Sequence, residues 1–186
     1  MRLINLKTLV VKEFIESDCP PYVILSHTWG ADEVSLQMLQ TGGVEALAGY
    51  EKIKSFCRQG AANGFEWGWV DTCCIDKTSS AELSEAINSM YRWYQEADVC
   101  YAYLADVSSN QQPDLQKEEF AKSRWFTRGW TLQELLAPSA VVFYLNDWTE
   151  YGTKTTLQHI ISKITGIPVR ALLQETKKFC IAEKMS

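Results

Sequence analysis

The sequence predicts an α/β domain, a small parallel sheet flanked by helices, and three observations carry that expectation. Short apolar runs recur at residues 22–25, 67–71, 99–104 and 140–144, each with the length of a buried strand. Segments with helical spacing lie between them, and strands that alternate with helices make right-handed crossovers and so run parallel. The opening stretch, residues 1–15, instead alternates loosely between apolar and polar residues before the Pro20-Pro21 break. That pattern predicts a hairpin or edge strand added to the sheet, an ornament more than a part of the core.

Taken in order, Tyr22-Val23-Ile24-Leu25 gives way at Ser26-His27-Thr28-Trp29-Gly30 to polar and turn-forming residues, as a buried strand does when it ends in a functional loop. Val44, Leu47, Ile53, Phe56 and Cys57 recur at helical spacing, and glycines at 60 and 64 close that first crossover helix. Residues 67–71 read as the second strand and 72–78 as a loop. Ser79 followed by Glu82 then forms a capping box that starts the second helix. Along it Leu83, Ile87, Met90, Tyr91 and Tyr94 share one apolar face. After the third strand, residues 108–116 are polar, contain Pro113 and lack periodicity, so they read as an exposed loop, with a short helix near Glu119. Residues 130–137 are helical in composition, Pro138 stops them, the fourth strand follows, and an amphipathic segment over 155–164 ends the core.

This divides a single domain of residues 1–186 into an N-terminal extension (1–20), an α/β core (22–165) and a C-terminal tail or linker (166–186). If the strands take a flavodoxin-like order, the topological switch point lies between the first and third core strands, beside residues 26–30 and Asp106, and ligands bind there.

Composition excludes several classes. Apolar residues make up 46% and charged residues 22%, the balance of a packed globular chain. The formal charge is −5 and the longest basic run is Lys177-Lys178, so nucleic acid is not an expected partner. No stretch approaches the ~20 apolar residues of a membrane span, and no signal-peptide pattern opens the chain, so a cytoplasmic location is expected. The six cysteines, Cys19, Cys57, Cys73, Cys74, Cys100 and Cys180, read as reduced thiols without zinc-ligand spacing, and no metal site is expected. Neither G-x-G-x-x-G nor G-x-x-x-x-G-K-[ST] occurs. Of the two histidines, His27 and His159, neither has a signature tying it to a cysteine; His27 reads first as a hydrogen-bonded turn residue, and a Cys74/His27 hydrolase is the weakest enzymatic option.

The segment Trp130-Thr131-Leu132-Gln133-Glu134-Leu135 carries more. On a helix at ~100° per residue, Leu132, Leu135 and Leu136 fall together, while Trp130, Gln133 and Glu134 fall on the other side. Trp130 and Glu134 then stand one turn apart and can reach the same ligand, an aromatic plate beside a carboxylate. The plainer arrangement is a Trp packed on a neighbouring loop beside a solvated Glu.

Three blocks resemble the heterokaryon incompatibility (HET) domain of filamentous fungi, a cell-death module. They are Tyr22-Val23-Ile24-Leu25-Ser26-His27-Thr28-Trp29-Gly30, then Trp69-Val70-Asp71-Thr72-Cys73-Cys74-Ile75-Asp76-Lys77, and Arg124-Trp125-Phe126-Thr127-Arg128-Gly129-Trp130-Thr131-Leu132-Gln133-Glu134-Leu135-Leu136-Ala137-Pro138. With the helix containing Glu85-Ala86-Ile87-Asn88-Ser89-Met90 they span most of the chain. The order of parts is also similar to TIR domains, which have a strand ending in a Ser-rich turn, an acidic loop after the second strand and a W-x-x-x-E-L helix.

Some TIR domains hydrolyse NAD with the glutamate of that helix, and that resemblance implies Glu134 as the catalytic carboxylate here. It would stabilise an oxocarbenium-like state and hold ribose hydroxyls. Trp130 would stack on the cationic nicotinamide, and Ser26, His27, Trp29, Asp71 and Asp76 would line the rest of the pocket. No tightly bound cofactor is implied; NAD or a related nucleotide enters as substrate. Each residue also has a plainer role: Ser26 satisfies turn amides, Trp29 belongs to the core, Asp71 and Asp76 cap loop backbone. The resemblance implies self-association and a place in a longer receptor, and it fits equally a non-enzymatic self-association and signalling module.

Overall fold

A computed structural model describes residues 1–173 of the chain. Lys177, Lys178, Cys180 and the rest of the expected tail from 174 onward lie outside the described residues. The strands are β1 (Arg2–Asn5), β2 (Val11–Glu13), β3 (Tyr22–His27), β4 (Trp67–Trp69), β5 (Val99–Tyr103), β6 (Val141–Tyr144) and β7 (Glu150–Thr153). They form one mixed sheet in the order β2-β1-β4-β3-β5-β6-β7. The middle four, β4-β3-β5-β6, are parallel, and β1 and β7 join antiparallel at either side. Thus β3 lies between its successors β4 and β5, and the chain's connections diverge above its carboxyl end.

The helices are α1 (Leu36–Thr41), α2 (Ala48–Ala62), α3 (Asp71–Cys74), α4 (Ser80–Glu96), α5 (Pro113–Lys122), α6 (Thr131–Leu136), α7 (Gln158–Thr165) and α8 (Val169–Leu172). Every residue of β3 is buried, as a strand covered on both faces requires. Burying each of Val23, Ile24 and Leu25 contributes about 1.5–3 kcal/mol. On α2, Ile53, Phe56 and Cys57 point into the same core.

Several expectations are corrected. The N-terminal hairpin does form, by pairing of β1 with β2, but it is part of the core: Leu3 and Ile4 are fully buried. Leu6 is wedged so tightly that a Cβ on Gly60 of α2 would meet its Cδ1 at 2.7 Å, and one on Gly68 of β4 would meet its Cδ2 at 2.8 Å. Only glycine leaves room for that side chain. The second core strand ends at Trp69, because Asp71 already opens α3. Pro113 begins α5 in place of sitting in a loop; proline is suited to a helix's first turn, where its missing N–H costs nothing.

Half of the capping box is present. Ser79 Oγ accepts from the Glu82 N–H at 3.3 Å, but the Glu82 carboxylate accepts from the Asp76 N–H at 2.8 Å and pairs with Arg2. The glutamate side chain thus ties the hairpin and the preceding loop to the start of α4 in place of capping it. Helices α1, α3 and α8 and strand β7 were not foreseen, and the expected loop over 72–78 begins instead inside α3. Helix α8 buries Leu172, so chain assigned to the tail packs as core.

Candidate functional site

Strand β3 delivers Ser26 to the carboxyl edge of the sheet, paired in register with Ala102 of β5. There its hydroxyl donates to Glu134 Oε2 at 2.6 Å and accepts from the Trp125 indole N–H at 2.7 Å. A chain of contacts brings Glu134 to that spot. Asp106 accepts from Ser123 Oγ and the Arg124 N–H, which anchors the 3-10 turn Arg124–Thr127 and seats Trp125 in the core. Thr131 Oγ1 then donates to the Trp125 carbonyl, folding α6 back over the strand end. At the other end of α6, buried Lys154 donates to the Leu135 carbonyl at 3.3 Å and the Pro138 carbonyl at 2.7 Å. A cation there satisfies orphan carbonyls and complements the helix dipole.

The buried face of α6 is Thr131, Glu134 and Leu135, not the expected trio of leucines. Leu132 and Leu136 are exposed, and Glu134 is only 3% exposed. A buried carboxylate requires partners. Arg128 supplies them, donating from Nη1 to Oε2 at 2.8 Å and from Nη2 to Oε1 at 3.0 Å.

This ion pair stands in the wall of a cleft of about 510 Å³, lined by residues that include Trp29, Asp71, Lys77, Arg128, Trp130 and Glu134. That size suits a small ligand. Its apolar wall is the stripe Leu83, Ile87, Met90 and Tyr94 of α4, read in the sequence, with Tyr91, as one apolar face. Only Tyr94 of the four is fully buried; Ile87 is exposed, and Tyr91 faces solvent. The core face of α4 is Ala86, Trp93 and Tyr94. Trp29 is 51% exposed and Trp130 is 43% exposed, which corrects the core reading of Trp29. Lys77 Nζ lies 3.8 Å above the Trp29 ring, and the Trp29 indole donates to Asp71 Oδ2 at 2.8 Å.

Beneath this edge lies a polar cluster. His27 is buried, and its Nε2 stands 3.7 Å from Glu33 Oε2 and 3.8 Å from Asp71 Oδ1. Neither ring nitrogen, nor either of those carboxylate oxygens, has a hydrogen-bond partner. His27 is therefore not the hydrogen-bonded turn residue that its position suggested. Burial pushes its pKa well below the usual value, and the cations Lys52, Arg128 and Lys77 lower it further, so the ring is neutral. Burial likewise raises the Asp71 carboxyl, against the pull of Lys77 and the Trp29 bond.

Of the residues singled out in the sequence, Trp29, Asp71, Trp130 and Glu134 line the cleft, and Ser26 holds Glu134 from behind. His27 lies under the cleft beside Asp71. Asp76 stands apart: it accepts from the Thr78 N–H and hydroxyl at 2.9 and 2.6 Å and from Gln37 at 2.6 Å, the loop-capping role. Cys74 lines a different cavity, with Met1 and Arg2, and its sulfur accepts the Val70 N–H at 3.4 Å. Burial raises its neighbour Cys57 to about 12, and a hydrogen bond with Cys74, followed by burial, raises Cys73, poor settings for a thiolate nucleophile. Arg128 and Lys77 were missed as site residues. Both stood inside quoted motifs, and the signal was an Arg six residues before the chosen Glu.

Comparison with known proteins agrees with these motifs. The sequence profile of the family "Heterokaryon incompatibility protein (HET)" matches residues 22–122, which include Ser26 and Asp71. "Vegetative incompatibility protein HET-E-1" of Podospora anserina is 47% identical over 167 residues. That alignment takes in 87% of this chain and 12% of the relative's length, so the chain spans about an eighth of that protein. No solved structure matches the chain.

Proposed function

Since this chain belongs to the heterokaryon incompatibility (HET) family, we propose that it is a cell-death effector domain that hydrolyses NAD at the nicotinamide glycosidic bond when oligomerised. The carrying observation is the Glu134 carboxylate, buried in the wall of a ligand-sized cleft that also presents two exposed indoles and two cations. In this reading Trp130 or Trp29 stacks on the cationic ring, a contact of about 0.5–2 kcal/mol. Glu134, oriented by Ser26, stabilises the positive charge that develops at the ribose as nicotinamide leaves. The TIR-like reading of the sheet, with its switch point above β3, supports the same placement. The small share of HET-E-1 that the chain spans supports a role as one module of a larger receptor.

The test is to cluster the protein artificially and measure nicotinamide release from NAD. Glu134→Gln is expected to lower the rate by about 10²–10³, the usual effect of removing one electrostatic stabiliser. An undiminished rate removes the carboxylate from the chemistry.

One observation favours a second reading, a non-enzymatic self-association module. Ile87 and Tyr91 on α4, and Trp130, Leu132 and Leu136 at α6, are all exposed, on two helices that touch. NAD at 100 times its dissociation constant adds about 2.7 kcal/mol of stability. Retained self-association without any thermal shift by NAD selects the module.

A further inference from the structure

Resting on the nucleotide reading above, we propose that the cleft selects a ligand carrying a phosphate, and that the phosphate's hold on Arg128 is what frees the Glu134 carboxylate to act. As the site stands, both oxygens of Glu134 are engaged, Oε1 by Arg128 and Oε2 by Arg128 and Ser26. A carboxylate clamped by a bidentate guanidinium has its charge largely answered and offers little to a cation beside it. The clamp sits at the cleft surface: Arg128 and Glu134 both line it, and the arginine is the more exposed partner, at 21% against 5% for their side chains.

Lys77 lines the same cleft. Its ammonium lies over the Trp29 face, and among the described residues no carboxylate stands within ion-pair distance of it. A lysine that Asp71 and Glu33 attract only from beyond ion-pair distance and an arginine shared with one acid, beside two indoles, match a ligand with an aromatic base at one end and a phosphate at the other. Phosphate is the natural competitor for a guanidinium fork. When it draws Arg128 away, Glu134 keeps its Ser26 hydrogen bond and its position, and its charge is no longer answered by the guanidinium. A nucleoside without a phosphate has no anion to offer Arg128 in exchange for the carboxylate, so it leaves the clamp closed.

The experiment titrates folded protein with nicotinamide mononucleotide, nicotinamide riboside and inorganic pyrophosphate, reading heat of binding, with nicotinamide release followed separately. The mononucleotide is expected to bind about tenfold or more tighter than the riboside, as charge-assisted phosphate contacts dictate. Lys77→Met and Arg128→Lys, the latter keeping the charge that a buried Glu134 needs, should each shrink the ratio of mononucleotide to riboside affinity. Glu134→Gln should bind pyrophosphate more tightly than the parent, because the acid no longer competes for Arg128; a merely structural ion pair predicts no such gain. Equal affinity for mononucleotide and riboside, or pyrophosphate binding unchanged by Glu134→Gln, overturns the proposal even if nicotinamide is released. A retained phosphate preference without nicotinamide release from any ligand refutes hydrolysis and leaves the selectivity standing.

Discussion

Trp125 and Trp130 belong to one short motif but to two regions of opposite character. Trp125 is fully buried and meets Phe126 and Phe143 edge-on at 5.0 and 5.5 Å. Phe120 extends the cluster to Phe143 and Tyr151. The one polar atom of that indole is satisfied by Ser26. Across the strand end, Trp130 and Trp29 stay exposed, and the acids and histidine below them keep unpartnered atoms. The cluster around Trp125 has used up its hydrogen-bonding capacity, whereas the polar groups beneath the cleft hold some back. Unused polar capacity beneath exposed aromatic surface sets this edge apart from the packed core.

Substitution at the core side should have the largest effect. Trp125→Ala is expected to cost about 3–5 kcal/mol in urea denaturation, through lost burial and the cavity left behind. A loss below about 1 kcal/mol would erase the distinction between the two regions.

The polar cluster predicts an intermediate effect that depends on pH. His27 has its folded pKa depressed below the ordinary 6.5, so the unfolded chain takes up the proton first. Its contribution to stability is complete above about pH 6.5 and is lost as pH falls through the folded value, with a slope approaching about 1.4 kcal/mol per pH unit. Asp71 works the other way: its raised carboxyl gives stability complete below 3.8 and lost as pH rises through the folded value. Chemical denaturation between pH 7 and 5 should therefore show His27→Gln with a flatter profile than the parent. Parallel profiles would mean that His27, among Glu33, Asp71 and Lys52, is already protonated in the fold.

The smallest change in stability belongs to the cleft. Trp29→Ala should shift the unfolding free energy by no more than about 0.5 kcal/mol while weakening nucleotide binding several-fold in the same titration used for Lys77. A large stability loss with intact binding would return Trp29 to the core.

These regions also separate what was legible in the sequence from what was not. Continuous apolar runs disclosed the four parallel strands, since a strand buried on both faces has no polar alternation to obscure it. Helix α6 was legible as a helix, but its inward face was misjudged. Periodicity assigns leucines to the core, while here an arginine and a serine make it affordable for Glu134 to be inside and Leu132 and Leu136 outside. Likewise the stripe on α4 announced an apolar face without saying whether protein or ligand covers it. Lys77 over Trp29, and Lys154 beneath α6, arise from long-range packing that no local spacing encodes.

The bond from Trp125 to Ser26, and from Ser26 to Glu134, makes the aromatic core and the cleft one unit. If the indole is not seated, the serine loses a donor that fixes it and the carboxylate loses its aim. A chain emerging half-folded, or loosened by heat, thereby loses the set position of Glu134 before it is unfolded. For the cell-death effector proposed above, such an interlock would confine activity to molecules that have completed their fold.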